Sequence, residues 1–144
     1  MSDRIFVDTN LWVYLYADDS DKEKTETISS LVDKYFENIT ISTQVLGEFF
    51  HVLTKKGLKE KEEARQMGLD ISSSFNVVEV LQSTVIRAMD ISIHNAYSYC
   101  SYWDSLILAV ALENNCSILY TEDMQDGQII DDKLRILNPF AAKK

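Results

Sequence analysis

Short apolar runs of strand length alternate with segments of helical period along nearly the whole chain, and this alternation is what most restricts the fold. The runs lie at 4–7, 39–41, 77–80, 117–120 and 134–137. Between them, Ile28, Leu31, Val32, Tyr35 and Phe36 recur at helical spacing. So do Val45, Leu46, Phe49, Phe50 and Leu53 within 42–53, and Trp103, Leu106, Ile107, Val110 and Ala111 within 102–114. Weaker helical patterns cover 60–74 and 83–96. Strands that alternate with helices predict an α/β domain: a central parallel sheet of about five strands, covered on both faces by helices. Pro139 is the only proline and there are four glycines, so few residues break helices. No linker or repeat interrupts the pattern, and 1–144 reads as one domain.

In open parallel sheets ligands bind beyond the carboxyl ends of the strands. The first apolar run, Ile5-Phe6-Val7, stops there at Asp8, followed by Thr9 and Asn10. Three further acids share that context. Glu48 lies about 9 Å into the helix after the second run, at 1.5 Å per residue. Asp104 opens the helix 102–114, and Asp123 follows the run at 117–120. Each has a plainer reading. Asp8 can cap a helix starting near Leu11. Glu48 can be a solvated helix residue, Asp104 can complete a capping pattern with Ser101, and Asp123 can open a turn with Glu122, Asp126 and Gly127. Taken jointly they point elsewhere. Four converging carboxylates repel one another, and a divalent cation removes that penalty. Hard oxygen donors suit Mg²⁺ or Mn²⁺.

Competing chemistries lack their residues. Cys100 and Cys116 form neither a disulfide framework nor a CxxC pair and read as reduced core thiols. With no signal-peptide pattern and no bilayer-length apolar stretch, they lead to the expectation of a cytoplasmic protein without membrane contact. His51 and His94 are the only histidines, and His51, three residues after Glu48, reads as a structural or surface residue. The glycines at 47, 57, 68 and 127 fit no phosphate loop. The net charge of −9 argues against a generic basic nucleic-acid binder, yet leaves open a cleft that meets phosphate through a metal ion.

The segments FVDTN (6–10), STQVLGEFFHVL (42–53), SYWDSLILAVALENNCSILYTEDMQDGQ (101–128) and ILNPF (136–140), in this order and spacing, resemble the PIN-domain nucleases, in particular bacterial toxin proteins of the VapC type. The likeness runs from near residue 3 to about 140. It implies a three-layer α/β/α fold and a metal-dependent endoribonuclease, the toxin of a type II toxin–antitoxin pair. Asp8, Glu48, Asp104 and Asp123 match the family's acids. The resemblance implies that Asp8, Asp104 and Asp123 bind Mg²⁺ or Mn²⁺, with Glu48 binding metal or positioning water and Asp126 a further candidate. Thr9 and Thr121 match supporting hydroxyls, and Asn10 a further polar member. Thr9 or Asn10 is expected to serve the helix start, which frees Asp8 for the cation. Also implied are an RNA substrate, with tRNA among the candidates, a small antitoxin partner and a homodimer.

Lys55, Lys56, Lys59 and Lys61 form the densest basic stretch and are candidates for RNA contact, with Arg87, Lys133 and Arg135 behind them. A solvated turn is the plainer reading. Tyr97, Tyr99, Tyr102 and Trp103 precede Asp104 and could stack on bases, form core or meet a second subunit. Two other acid-bearing α/β classes fit less well. A phospho-receiver needs an acidic pair after strand one and an Asp after strand three, where Gln82 follows the run. A haloacid-type phosphatase needs a second acid at position 10, which is asparagine. A non-catalytic PIN-like binding module is the alternative that the intact acids oppose.

Overall fold

The computed structural model describes residues 3–17, 21–94 and 100–141. Strands β1 (Ile5–Val7), β2 (Ile39–Ser42), β3 (Asn76–Val78), β4 (Ile118–Tyr120), β5 (Ile129–Ile130) and β6 (Leu134–Leu137) form one sheet, in the order β3-β2-β1-β4-β6-β5. Every pairing is parallel except β5 with β6. The five strands expected from the sequence form the parallel sheet, and a short sixth, β5, adds an antiparallel edge. Strand β5 escapes sequence reading because two residues are too short to show a period. All of β1 and β2 is buried, as strands covered on both faces must be.

The helices are α1 (Thr9–Tyr16), α2 (Lys22–Lys34), α3 (Thr43–Lys55), α4 (Lys61–Ser74), α5 (Gln82–Ile93) and α6 (Tyr102–Glu113). The chain steps from β1 to β2 to β3 in one direction, then returns through α5 and α6 to place β4 on the other side of β1. Right-handed crossovers in opposite directions put their helices on opposite faces. Accordingly α1 packs on α2 and α3, α3 packs on α4, and α5 packs on α6. The result is the three-layer α/β/α architecture.

Helix ends follow local chemistry. Ser42 caps α3 by accepting the Val45 N–H at 3.2 Å. Its other end turns at Gly57 (φ 67°), where Leu58 N–H donates to the Leu53 carbonyl and Gly57 N–H to that of Thr54. This closure needs a left-handed residue, which glycine supplies without strain. Helix α6 closes the same way at Asn115 (φ 58°).

Three readings of the helical pattern are corrected. Helix α2 stops at Lys34, and Phe36 lies in a 3₁₀ turn (Phe36–Asn38), 49% exposed. Helix α1 begins at Thr9, not near Leu11. Helix α6 does not bury one stripe: Ser105 to Leu112 are buried all round, and α5 packs against it. Trp103, the first member of the supposed stripe, is 61% exposed. The last residues of the helical pattern at 83–96, together with Tyr97 and Tyr99, lie outside the described residues.

Trp12, Phe6 and Phe49 are the largest fully buried side chains. The Trp12 indole N–H donates to the Val7 carbonyl at 3.1 Å, and its ring meets Phe75 at 5.0 Å. That contact ties α1 to the end of β1. Cys100 and Cys116 are buried thiols, and burial pushes Cys116 up to about 12. Among the described residues no helix is long and apolar enough to cross a membrane.

Candidate active site

β1 and β4 run parallel, but the order in which strands are added reverses between them, and this opens a crevice at their carboxyl ends, the usual place for ligands in such a sheet. A cleft of about 270 Å³ lies there, walled by Asp8, Thr9, Asn10, Gln44, Glu48, His51, Val52, Trp103, Asp104, Ile107 and Asp123. All four acids singled out from the sequence line it.

Asp8 follows β1 directly and is only 7% exposed. Its Oδ1 accepts the Thr9 N–H at 2.7 Å and its Oδ2 accepts the Thr121 hydroxyl at 2.8 Å. Asp8 therefore caps α1 itself, which corrects the expectation that Thr9 or Asn10 would do so. Capping and facing the cleft are compatible because each carboxylate oxygen has more than one lone pair. Thr9 instead turns its hydroxyl to Glu48, donating to Oε1 at 2.9 Å. Asn10 donates from Nδ2 to Asp123 Oδ2 at 3.2 Å, and the Asp123 N–H donates to Thr121 Oγ1 at 3.1 Å. Thr121 thus links Asp8 and Asp123, residues more than a hundred positions apart. Asp104 sits in the first turn of α6, its N–H donating to the capping Ser101 hydroxyl at 3.1 Å.

Next to Asp123, Glu122 is pinned from the first two helices. It accepts the Tyr14 hydroxyl at 2.6 Å and pairs with Lys24 at 3.2 Å. The lysine is thereby committed to Glu122, and among the described residues no lysine or arginine lines the cleft.

The electrostatics record that imbalance. Burial pushes the Asp8 carboxyl up to about 6; the bonds from Thr121 and Thr9 oppose this, while the charges of Asp123 and Glu48 add to it. Asp123 is also raised, by burial and then by Glu122, Asp104 and Glu48. Its side chain is largely open to solvent, so water screens much of that repulsion. A buried carboxylate whose partners are all neutral, beside further acids, forms an all-oxygen donor set that fits a hard divalent cation. Among the described residues no three His, Cys, Asp or Glu side chains stand as a ready-made ligating cluster.

Asp126 and the lysine candidates fall outside the cleft. Asp126 Oδ1 accepts the Asn138 N–H at 2.7 Å, which orders the turn before the chain's last described segment. Lys55 and Lys56 are exposed at the end of α3, and Lys59 is turned inward with an ion pair to Glu63 at 3.9 Å. Conversely, His51 and Gln44 line the cleft and were not assigned to it from sequence. Their signal was present: both lie one turn from Glu48, on the same face of α3. Among the described residues His51 is the only basic side chain that lines the cleft.

Comparison with known proteins agrees with this architecture. Residues 5–125 match the family model described as PIN domain. Among solved structures, the DNA-bound VapBC from Salmonella typhimurium superposes with a TM-score of 0.72 at 18% identity, covering 96% of this chain and 99% of that one. VapBC2 from Rickettsia felis, bound to a DNA fragment from its promoter, gives 0.69 at 19%, over 93% and 97%. The sarcin–ricin loop cleaving toxin VapC20 of Mycobacterium tuberculosis gives 0.68 at 21%, over 83% and 91%. No curated protein matches the chain. With the model spanning most of its length and the fold shared from end to end, the chain belongs to the PIN domain family.

Proposed function

We propose that this protein is a metal-dependent endoribonuclease, acting as the toxin of a toxin–antitoxin pair. The observation that carries the reading is Asp8: a buried carboxylate with only neutral hydrogen-bond donors, sharing one cleft with Glu48, Asp104 and Asp123. Asp8, Asp104 and Asp123 would hold Mg²⁺ or Mn²⁺. When bound, the cation supplies Lewis acidity at the phosphodiester and makes water a better nucleophile. The chain's own residues prepare the rest. The Thr121 and Thr9 bonds fix Asp8 in one rotamer. Asn10 holds Asp123. Thr9 holds Glu48 by Oε1, leaving Oε2 to accept a proton from the attacking water. In-line attack would then expel the ribose 3′-oxygen and leave a 5′-phosphate.

The solved neighbours described as toxin–antitoxin or VapBC assemblies support a small antitoxin as partner. An antitoxin over the cleft would cover Asp8 and its neighbours. A homodimer and a cytoplasmic location are the matching expectations.

The direct test is RNA cleavage. Purified protein incubated with total RNA or tRNA should cut it in Mn²⁺ and leave it intact in EDTA. Cleavage that persists in EDTA would overturn the metal requirement. Well-folded protein that cuts no RNA under any cation would favour a binding module.

Thr9→Val tests the positioning of Glu48. Valine keeps the shape but removes the hydroxyl that donates to Oε1. A hydrogen bond to a charged group contributes about 1.5–3 kcal/mol, so cleavage should fall about 10- to 100-fold. Circular dichroism should be unchanged. Wild-type rates in this variant would show that Glu48 needs no such support.

A further inference from the structure

The acidic cleft poses a problem for any polyanionic substrate. The chain carries a net charge of −9, and no lysine or arginine lines the site among the described residues. Beyond cations held by the acids, a contact indifferent to charge would add affinity for RNA. Stacking on an aromatic ring is one.

Trp103 is placed for it. It lies in the first turn of α6, immediately before Asp104, and lines the cleft that holds the four acids. It is 61% exposed, whereas the fully buried Trp12 shows where this fold puts a tryptophan it uses for packing. Two contacts limit its movement. Tyr102, itself packed against the core, meets it edge-on at 5.0 Å and 73°. Gln44 Nε2 donates to the Trp103 carbonyl at 3.4 Å, tying the first turn of α6 to that of α3. A large ring held at the cleft rim, beside the carboxylates, loses little conformational entropy when a flat ligand covers it.

We propose that Trp103 is a stacking platform for one unpaired base of the RNA, next to the phosphate that is cut. The inference rests on the nuclease reading and adds a specificity element to it. A base inside a duplex is already stacked on both sides, so the platform selects unpaired nucleotides.

The test measures binding apart from turnover. A labelled oligoadenylate of about ten nucleotides, roughly one single-strand binding site, is titrated with the full chain in Ca²⁺ and followed by fluorescence anisotropy. Trp103→Ala should weaken binding about 10- to 100-fold, while Trp103→Phe, which keeps a stacking face, recovers most of it. In wild type, abasic residues scanned along the oligonucleotide should produce the same loss at one position. Trp103→Ala should be insensitive at that position, as expected when base and ring are one interaction. Unchanged melting of both variants separates the effect from folding. If Trp103→Ala binds as tightly as wild type while wild type still cleaves RNA, the platform is overturned and the nuclease stands; the exposed indole then serves a protein partner. If wild type neither binds nor cleaves any RNA, both fall.

Discussion

Asp8→Asn should abolish RNA cleavage and, in the same molecule, make the metal-free protein more stable at pH 8. The loss of activity follows from removing a carboxylate that would hold the cation. Transition-state charge stabilisation of several kcal/mol is at stake, so the rate should drop by about 10³ or more. The gain in stability follows from the position of the Asp8 titration. Its carboxyl goes from an ordinary 3.8 to about 6 on folding, chiefly because burial penalises the charge. The folded state therefore holds this proton more tightly than the unfolded state. Its stabilising contribution is complete below the unfolded value and is lost as pH rises through about 6. Above that, wild type carries a buried charge that asparagine lacks. The upward displacement corresponds to about 3 kcal/mol at most, and imperfect replacement of the bond from Thr121 leaves about 1–2.

Urea unfolding in EDTA at pH 8 and pH 4.5 measures this directly. The variant should be the more stable at pH 8, and the difference should shrink toward pH 4.5. A variant less stable at pH 8 would sink the account. Saturating Mn²⁺ should reverse the order. An ion that binds only the folded wild type stabilises it by about 2.7 kcal/mol at a hundred times its Kd.

Trp12→Ala should cost about 3–5 kcal/mol of stability, a large share of what a domain of this size has. Trp12 is fully buried against Phe75, and alanine leaves a cavity there. The indole also has a polar duty. Pairing of β1 with β2 ends at Phe6, and the carbonyl of Val7, just before Asp8, accepts the indole N–H. Trp12→Phe isolates that duty: it keeps most of the apolar volume and leaves the Val7 carbonyl without this donor. A buried polar group stripped of its partner costs about 1–3 kcal/mol. The urea midpoints should fall in the order wild type, Phe, Ala. A phenylalanine variant that unfolds like wild type would mean that the indole bond contributes nothing.

These two residues also mark how far the chain can be read before it folds. Asp8 was legible because an apolar run ending in an acid has a fixed place in a parallel sheet. Glu48, Asp104 and Asp123 were legible as a set, though each alone resembled a cap, a turn or a solvated helix residue. Other features had no one-dimensional signature. Strand β5 is too short for a period. Trp103 fits the apolar spacing of α6, yet it lines the cleft and stays exposed, because burial along that helix begins only at Ser105. Lys59 belongs to a basic run in sequence but turns inward to Glu63. His51 shares the face of Glu48, but whether that face meets a cleft or solvent depends on where α6 begins.

From the sequence alone came the alternation of strands and helices, hence the layered fold, and the placement of acids after strands, hence the end of the sheet to examine. Periodicity and turn chemistry are local, and they suffice for that. Tertiary structure decided the strand order, which sets β4 beside β1 and brings Thr121 to Asp8 across 113 positions. It decided that Asp8 both caps α1 and faces the cleft. It decided, too, that burial with neutral partners should hold this carboxyl near 6. Those outcomes depend on which surfaces exclude water together, and that is a property of the packed chain.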